Sequence, residues 1–161
     1  REPPHHSPAA GRTMALGFEF RQTMTGTYHR LETPGEEHPL SLVLRAQVHD
    51  LKRLVVDPTA ELTGEIDARG LADHRPLKGW LQLAPLRYGK IVYELRFPDN
   101  AGHRLRLRGE HEIEPLRPVE TLTTMTGSVF DVEDGDELAR VVVRFHLKRE
   151  LARVLRSLRA R

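Results

Sequence analysis

From Leu16 onward, apolar and polar residues alternate with a period of two, the pattern of strands that bury one face. In GFEFRQTMTGTY, the residues Phe18, Phe20 and Met24 share a face. In LSLVLRAQV, Leu40, Leu42, Leu44, Ala46 and Val48 do the same, with Ser41, Arg45 and Gln47 opposite. Leu62, Gly64 and Ile66 follow, then Leu77, Gly79, Leu81 and Leu83, with Trp80 on the other face. A hairpin comes next, IVYELRFPDNAGHRLRLRGEHEI, in which Ile91, Tyr93, Leu95 and Phe97 match Leu105, Leu107, Gly109, His111 and Ile113. TLTTMTGSVFDV and ELARVVVRF supply two more strands, the last with Ala139, Val141, Val143 and Phe145 on one side.

Turn chemistry separates these runs, at Thr33-Pro34-Gly35, Asp57-Pro58, Arg69-Gly70, Asp99 to Gly102 and Glu133 to Asp136. DLKRLVV has helical spacing and is expected to be a single turn across one end of the sheet. The period changes once more at the end. Leu147, Leu151, Val154, Leu155 and Leu158 form a stripe at three- and four-residue spacing, which predicts an amphipathic helix over residues 147–160. The expected fold is all-β, an antiparallel barrel or closed sandwich of about eight strands, lipocalin-like in outline, with one C-terminal helix. No βαβ unit and no internal repeat is visible.

Composition narrows the function classes. The 161 residues make one domain, expected over 16–161, after a leader at 1–15. Proline, glycine and few apolar residues in that leader predict disorder, and it lacks the apolar stretch of a signal peptide. No cysteine is present, which excludes disulfides, thiolate metal sites and a cysteine nucleophile. Twenty-five basic residues against 23 acidic ones give no field strong enough to gather nucleic acid. No run reaches the roughly 18 to 20 apolar residues of a membrane-spanning helix. These features point to a cytoplasmic protein, with peripheral membrane contact left open.

Candidate chemistry is sparse. Arg104, Arg106 and Arg108 line the outer face of the hairpin. Face matching allows two registers, which set Glu94 opposite Arg106 or opposite Arg108, so the row reads as a solvated and partly ion-paired surface. An anion site would also want a nest of amides, and none is visible beside it. His111 has the parity of the inner face. A buried neutral imidazole bonded to a hydroxyl of the threonine-rich strand is one reading, and a polar group that orients a ligand is the other. No histidine pair has metal-ligand spacing, and DVEDGDE lacks the calcium-loop order, so neither metal nor cofactor is expected. No serine sits in a nucleophile-elbow context.

Gly64, Gly79 and Gly109 occupy inward strand positions, where glycine weakens a strand unless curvature or close approach needs it. A bent, closing sheet would also have room inside for a small ligand, unless Phe18, Phe20, Tyr93, Phe97 and Phe145 fill it. The C-terminal helix carries Arg149, Arg153 and Arg156 on a basic outer face. That face suits solvent, an anionic membrane surface or an acidic partner.

Three stretches also carry a family resemblance. FRQTMTGTY resembles the F-x-E-x-M-x-G start of a β-rich accessory region in cholesterol-oxidase-like members of the glucose–methanol–choline oxidoreductases, with Arg21-Gln22 in place of the acidic residue before Met24. YELRFPDNAGHRLRLRGEHEI is similar to that region's hairpin, with His111 where a lysine is expected, and TLTTMTGSVFDV resembles the following strand. The resemblance implies association with lipid or sterol metabolism, either beside an oxidoreductase partner or as a stand-alone relative. It carries over no catalytic residue, because the flavin and its fingerprint belong to another domain. The expected function is therefore a non-enzymatic module that binds a lipid-like or sterol-like hydrophobic molecule. Its ligand would lie against Phe20, Met24, Tyr93, Leu95, Leu107 and His111, with Arg149, Arg153 and Arg156 as membrane or anion contacts. The alternative is a protein-interaction or regulatory domain with a packed core.

Overall fold

Strands form where the alternation is sustained, because each then buries one full face against the others. The computed structural model describes residues 18–48, 50, 57, 59–82, 90–112 and 122–146. It contains β1 (Phe18–Arg30), β2 (His38–Val48), β3 (Thr59–Ala68), β4 (Ala72–Gln82), β5 (Lys90–Pro98), β6 (Arg104–Glu112), β7 (Leu122–Asp131) and β8 (Glu137–His146). Each strand pairs antiparallel with the next, and β1 pairs with β8 to close a barrel. Of the two shapes open from sequence, the barrel is the one adopted. The predicted leader, the turn at DLKRLVV and the helix over 147–160 lie outside the described residues.

Four short hairpins, β1–β2, β3–β4, β5–β6 and β7–β8, place their turns at one end, called here the upper end. Following the registers round the eight seams returns to β1 about ten residues along, a stagger that tilts the strands and leaves overhangs between hairpins. Side chains and turns stitch the upper overhangs. Asn100 donates its backbone N–H to the Leu71 carbonyl at 2.9 Å and its side-chain amide to Asp73 at 2.7 Å. The Tyr28 hydroxyl donates to the Arg69 carbonyl, and Arg69 N–H reaches the Pro39 carbonyl at 3.2 Å. With Leu71 and Ala72 buried beneath these turns, the upper end is sealed.

The seams between hairpins share one device. Each has a glycine at which an added Cβ would stand on a carbonyl oxygen of the neighbouring strand. Gly26 would meet Val142 on β8 at 1.9 Å, Gly64 would meet Val43 on β2 at 1.8 Å, Gly79 would meet Glu94 on β5 at 1.8 Å and Gly127 would meet Arg108 on β6 at 2.6 Å. Backbones this close leave no room for any other residue, and the strands can curve tightly there. Gly64 and Gly79 have the role their inward parity suggested. Gly109 differs, because its absent Cβ would meet the Met125 side chain rather than backbone.

Inside, Met24, Leu42, Leu44, Leu62, Ile66, Leu81, Ile91, Leu95, Leu105 and Tyr93 are essentially inaccessible. Bulges lie between Ile66 and Ala68 and between Val129 and Phe130, both toward the upper end. β4 begins at Ala72, earlier than the pattern from Leu77 suggested. Asp73-His74-Arg75-Pro76 reads as loop, but β3 holds it in register, with Pro76 opposite Glu65. That part of β4 has no ladder to β5, whose pairing starts at Lys78, so Pro76 sits in an edge-like setting that tolerates proline.

Replacing Gly79 by alanine is expected to cost about 3 kcal/mol or more, since backbone rather than a flexible side chain must give way. Gly35→Ala, with nothing within 4 Å of its added carbon, should stay within about 0.5 kcal/mol. Urea denaturation of the two variants beside the wild type measures both.

Candidate functional site

The lower half of the barrel is lined by β1 up to Met24, the end of β2, the start of β3, the end of β4, the start of β5, the end of β6, the start of β7 and the end of β8. Three of its inward side chains are polar and buried: Gln22, Tyr93 and His111. Each is placed by strand parity. Gln22 lies between Phe20 and Met24 on the inner face of β1 and pairs with Leu44. Tyr93 pairs with Leu81 and with Gly109, and His111 pairs with Ile91.

Tyr93 and His111 form a unit. The Tyr93 hydroxyl lies 3.5 Å from His111 Nε2, a long contact, and the rings are tilted with centroids 5.7 Å apart. Phe145 of β8 meets the imidazole edge-on at 5.2 Å, so the histidine is held between rings from β5 and β8. Burial pushes the Tyr93 hydroxyl well above its ordinary pKa, which keeps it a neutral donor at any physiological pH. Gly109 beside them leaves a low place in the wall that the Met125 side chain covers. Methionine is the side chain best able to re-pack around a new neighbour.

Gln22 has a different task. The β1–β8 ladder stops at Thr25 and Arg144, and below it the Gln22 side-chain amide donates to the His146 carbonyl at 2.9 Å. The seam is thus continued by a side chain where backbone pairing ends. In the sequence Gln22 is marked only by its parity and by standing, with Arg21, where the resembled region has an acidic residue; neither signals this role.

The remaining expected residues separate by depth. Phe20 lies low on β1, near the lower rim. Met24 sits farther up, and Leu95 and Leu107 pair with each other in the closed middle of the barrel. Tyr93 and His111 are therefore brought together, whereas Leu95 and Leu107 lie farther up the barrel. Arg149, Arg153 and Arg156 lie outside the described residues.

On the outside, the arginine row resolves into a counterion cluster. Glu94 pairs directly with Arg108 in the register, and its carboxylate lies 3.4 Å from Arg106 and 3.7 Å from Arg108. Both arginines take part, where the two possible registers offered one each. Arg106 also lies over the Phe130 ring at 5.0 Å. A shallow outer groove of about 380 Å³ runs from Arg108 past Ser128 to Arg140. Glu94, Glu110 and Glu137 balance its arginines, so it holds no excess positive charge. Among the described residues, no group of three histidine, aspartate or glutamate side chains could hold a metal ion.

A second titratable cluster occupies the outer face near the upper end. His74 has a positive φ of 47°, with Nδ1 2.9 Å from Glu65 and Nε2 3.5 Å from Asp67. The hydrogen bond to Glu65, then the charge of Asp67, raise its pKa above the ordinary 6.5. A raised folded pKa gives stability that is complete below pH 6.5 and is lost as pH rises through the folded value. His74→Asn keeps a residue tolerant of this backbone and removes the imidazole. It should lower the melting temperature below pH 6.5 and converge with wild type in alkaline buffer, as followed by thermal melts from pH 5 to 9.

Compared with protein-family models, with curated proteins and with solved structures, the chain matches none.

Proposed function

We propose that this β-barrel is a non-enzymatic binding module for a lipid-like or sterol-like hydrophobic molecule, admitted through the lower half of the barrel. The observation that carries the reading is the distribution of polarity inside. Tyr93, His111 and Gln22 gather in the lower half, while the upper end is sealed by turns. An apolar wall with a few converging polar groups is what small-molecule sites are made of. Tyr93 and His111 would orient a polar end of the molecule, and Met125 would move aside over Gly109. Phe20 and Met24 would border its apolar part, with Leu95 and Leu107 limiting its depth. An oxidoreductase that acts on such a molecule is the partner the sequence resemblance suggests, and a membrane is a natural source of the ligand.

The second reading is a protein-interaction or regulatory domain without a small-molecule ligand. It is favoured by how completely side chains occupy the inner face, with Met24, Leu95, Leu107 and Met125 at 0% exposure.

Native mass spectrometry of the purified protein, followed by organic extraction, separates the two. A co-purifying fatty alcohol, fatty acid, sterol or polyprenoid is the expected result. In titrations with the neutral dye Nile red, Tyr93→Phe and His111→Leu should each weaken binding about three- to tenfold, the effect of one lost hydrogen bond. An apo mass together with no dye uptake would leave the interaction domain as the reading.

A further inference from the structure

Gln22 is 4% exposed, and its two amide ends have different fates. Nε2 faces two carbonyl oxygens, that of His146 at 2.9 Å and that of Thr23 at 3.5 Å. Turning the amide over would set Oε1 against both carbonyls, so the orientation is fixed by its surroundings. Oε1 is consequently an acceptor, buried and without a hydrogen bond. A buried carbonyl left in that condition costs on the order of 1–3 kcal/mol, so a donor supplied from outside the chain would be favoured there. Its neighbours along β1 are Phe20 and Met24, and its partner across the ladder is Leu44, none of which has a side-chain donor.

The charge inventory of the same surface adds an independent constraint. Among the described residues, the inner face of the lower half carries no lysine, arginine, aspartate or glutamate. An ionised head group placed there would lose its water and, apart from the imidazole of His111, would find no counterion. Nor would a carboxylate suit Gln22, because it would present lone pairs to Oε1.

Building on the ligand-binding reading above, we infer that the molecule taken into the lower half carries a neutral hydrogen-bond donor, an alcohol in the simplest case. The Gln22 carbonyl oxygen accepts from this donor. Gln22 is then the residue that selects the head group, and Tyr93 with His111 are the other buried polar groups of the same half of the interior. A hydroxyl satisfies Oε1 with one bond and remains able to accept a second from the protein.

Three ligands of matched chain length test this by isothermal titration calorimetry on the full chain: decan-1-ol, its methyl ether and decanoate. The alcohol has the donor, the ether keeps the oxygen without the donor, and decanoate carries the charge. Wild type should bind the alcohol roughly tenfold more tightly than the ether and more tightly still than decanoate. Gln22→Met keeps length and lets the fold be checked by circular dichroism; in it the alcohol and the ether should bind alike. Equal affinity of alcohol and ether in wild type, or decanoate as the tightest ligand, overturns the head-group assignment and leaves the hydrophobic site standing. Preference for the alcohol that survives in Gln22→Met removes Gln22 from the selection. If none of the three binds, the ligand-binding function itself falls, and the inference with it.

Discussion

The close approach of backbones at the four seams between hairpins is the constraint on which this barrel depends. Hairpins are local structures and form from their own turns, but a hairpin alone hides little apolar surface. Joining four of them into a ring requires each to curve, and the curvature brings Gly26, Gly64, Gly79 and Gly127 onto neighbouring carbonyls. A methyl group at any of these points would hold two strands apart. The cost would then extend beyond the local contact, because a ring opened at one seam exposes the interior it was closed to hide.

The closed ring is asymmetric. At the upper end the turns bind one another through Asn100, Tyr28 and Arg69, and the interior beneath them is aliphatic and aromatic apart from the Tyr28 hydroxyl, which is spent on the Arg69 carbonyl. At the lower end the ladder between β1 and β8 runs out, and a glutamine takes over from the backbone. Polarity inside the barrel follows the same gradient. Apolar packing therefore dominates above, and the hydrogen-bonding side chains Gln22, Tyr93 and His111 lie below. The outer arginines belong to a different account, since Glu94 is ion-paired with two of them and Phe130 stacks under one. They hold β5, β6 and β7 together on the wet side of the sheet.

Much of this was legible in the sequence, for physical reasons that differ by element. Alternation identifies strands because side chains on a pleated backbone point to opposite faces, and it assigned Tyr93, Leu95, Leu107 and His111 to the interior correctly. Parity also marked Gly64 and Gly79 as sites of close approach, since glycine inside a strand is otherwise unfavourable. The start of β4 was hidden, because Asp73, Pro76 and the left-handed His74 are loop-like residues that only pairing to β3 makes into a strand. Gln22 was hidden as well: its role comes from the point at which two strands 124 residues apart in sequence stop pairing.

The sequence by itself determined the strands, their inward faces, the hairpins and the glycines that let the sheet bend, because each follows from local periodicity and sterics. Only the tertiary structure decided that the sheet closes as a barrel rather than a sandwich. It also set the stagger of the strands, how the turns of the upper end bind one another, and which polar side chains meet inside. Those outcomes depend on summed registers round the ring, where a shift of one residue at any seam would turn an entire strand's faces over.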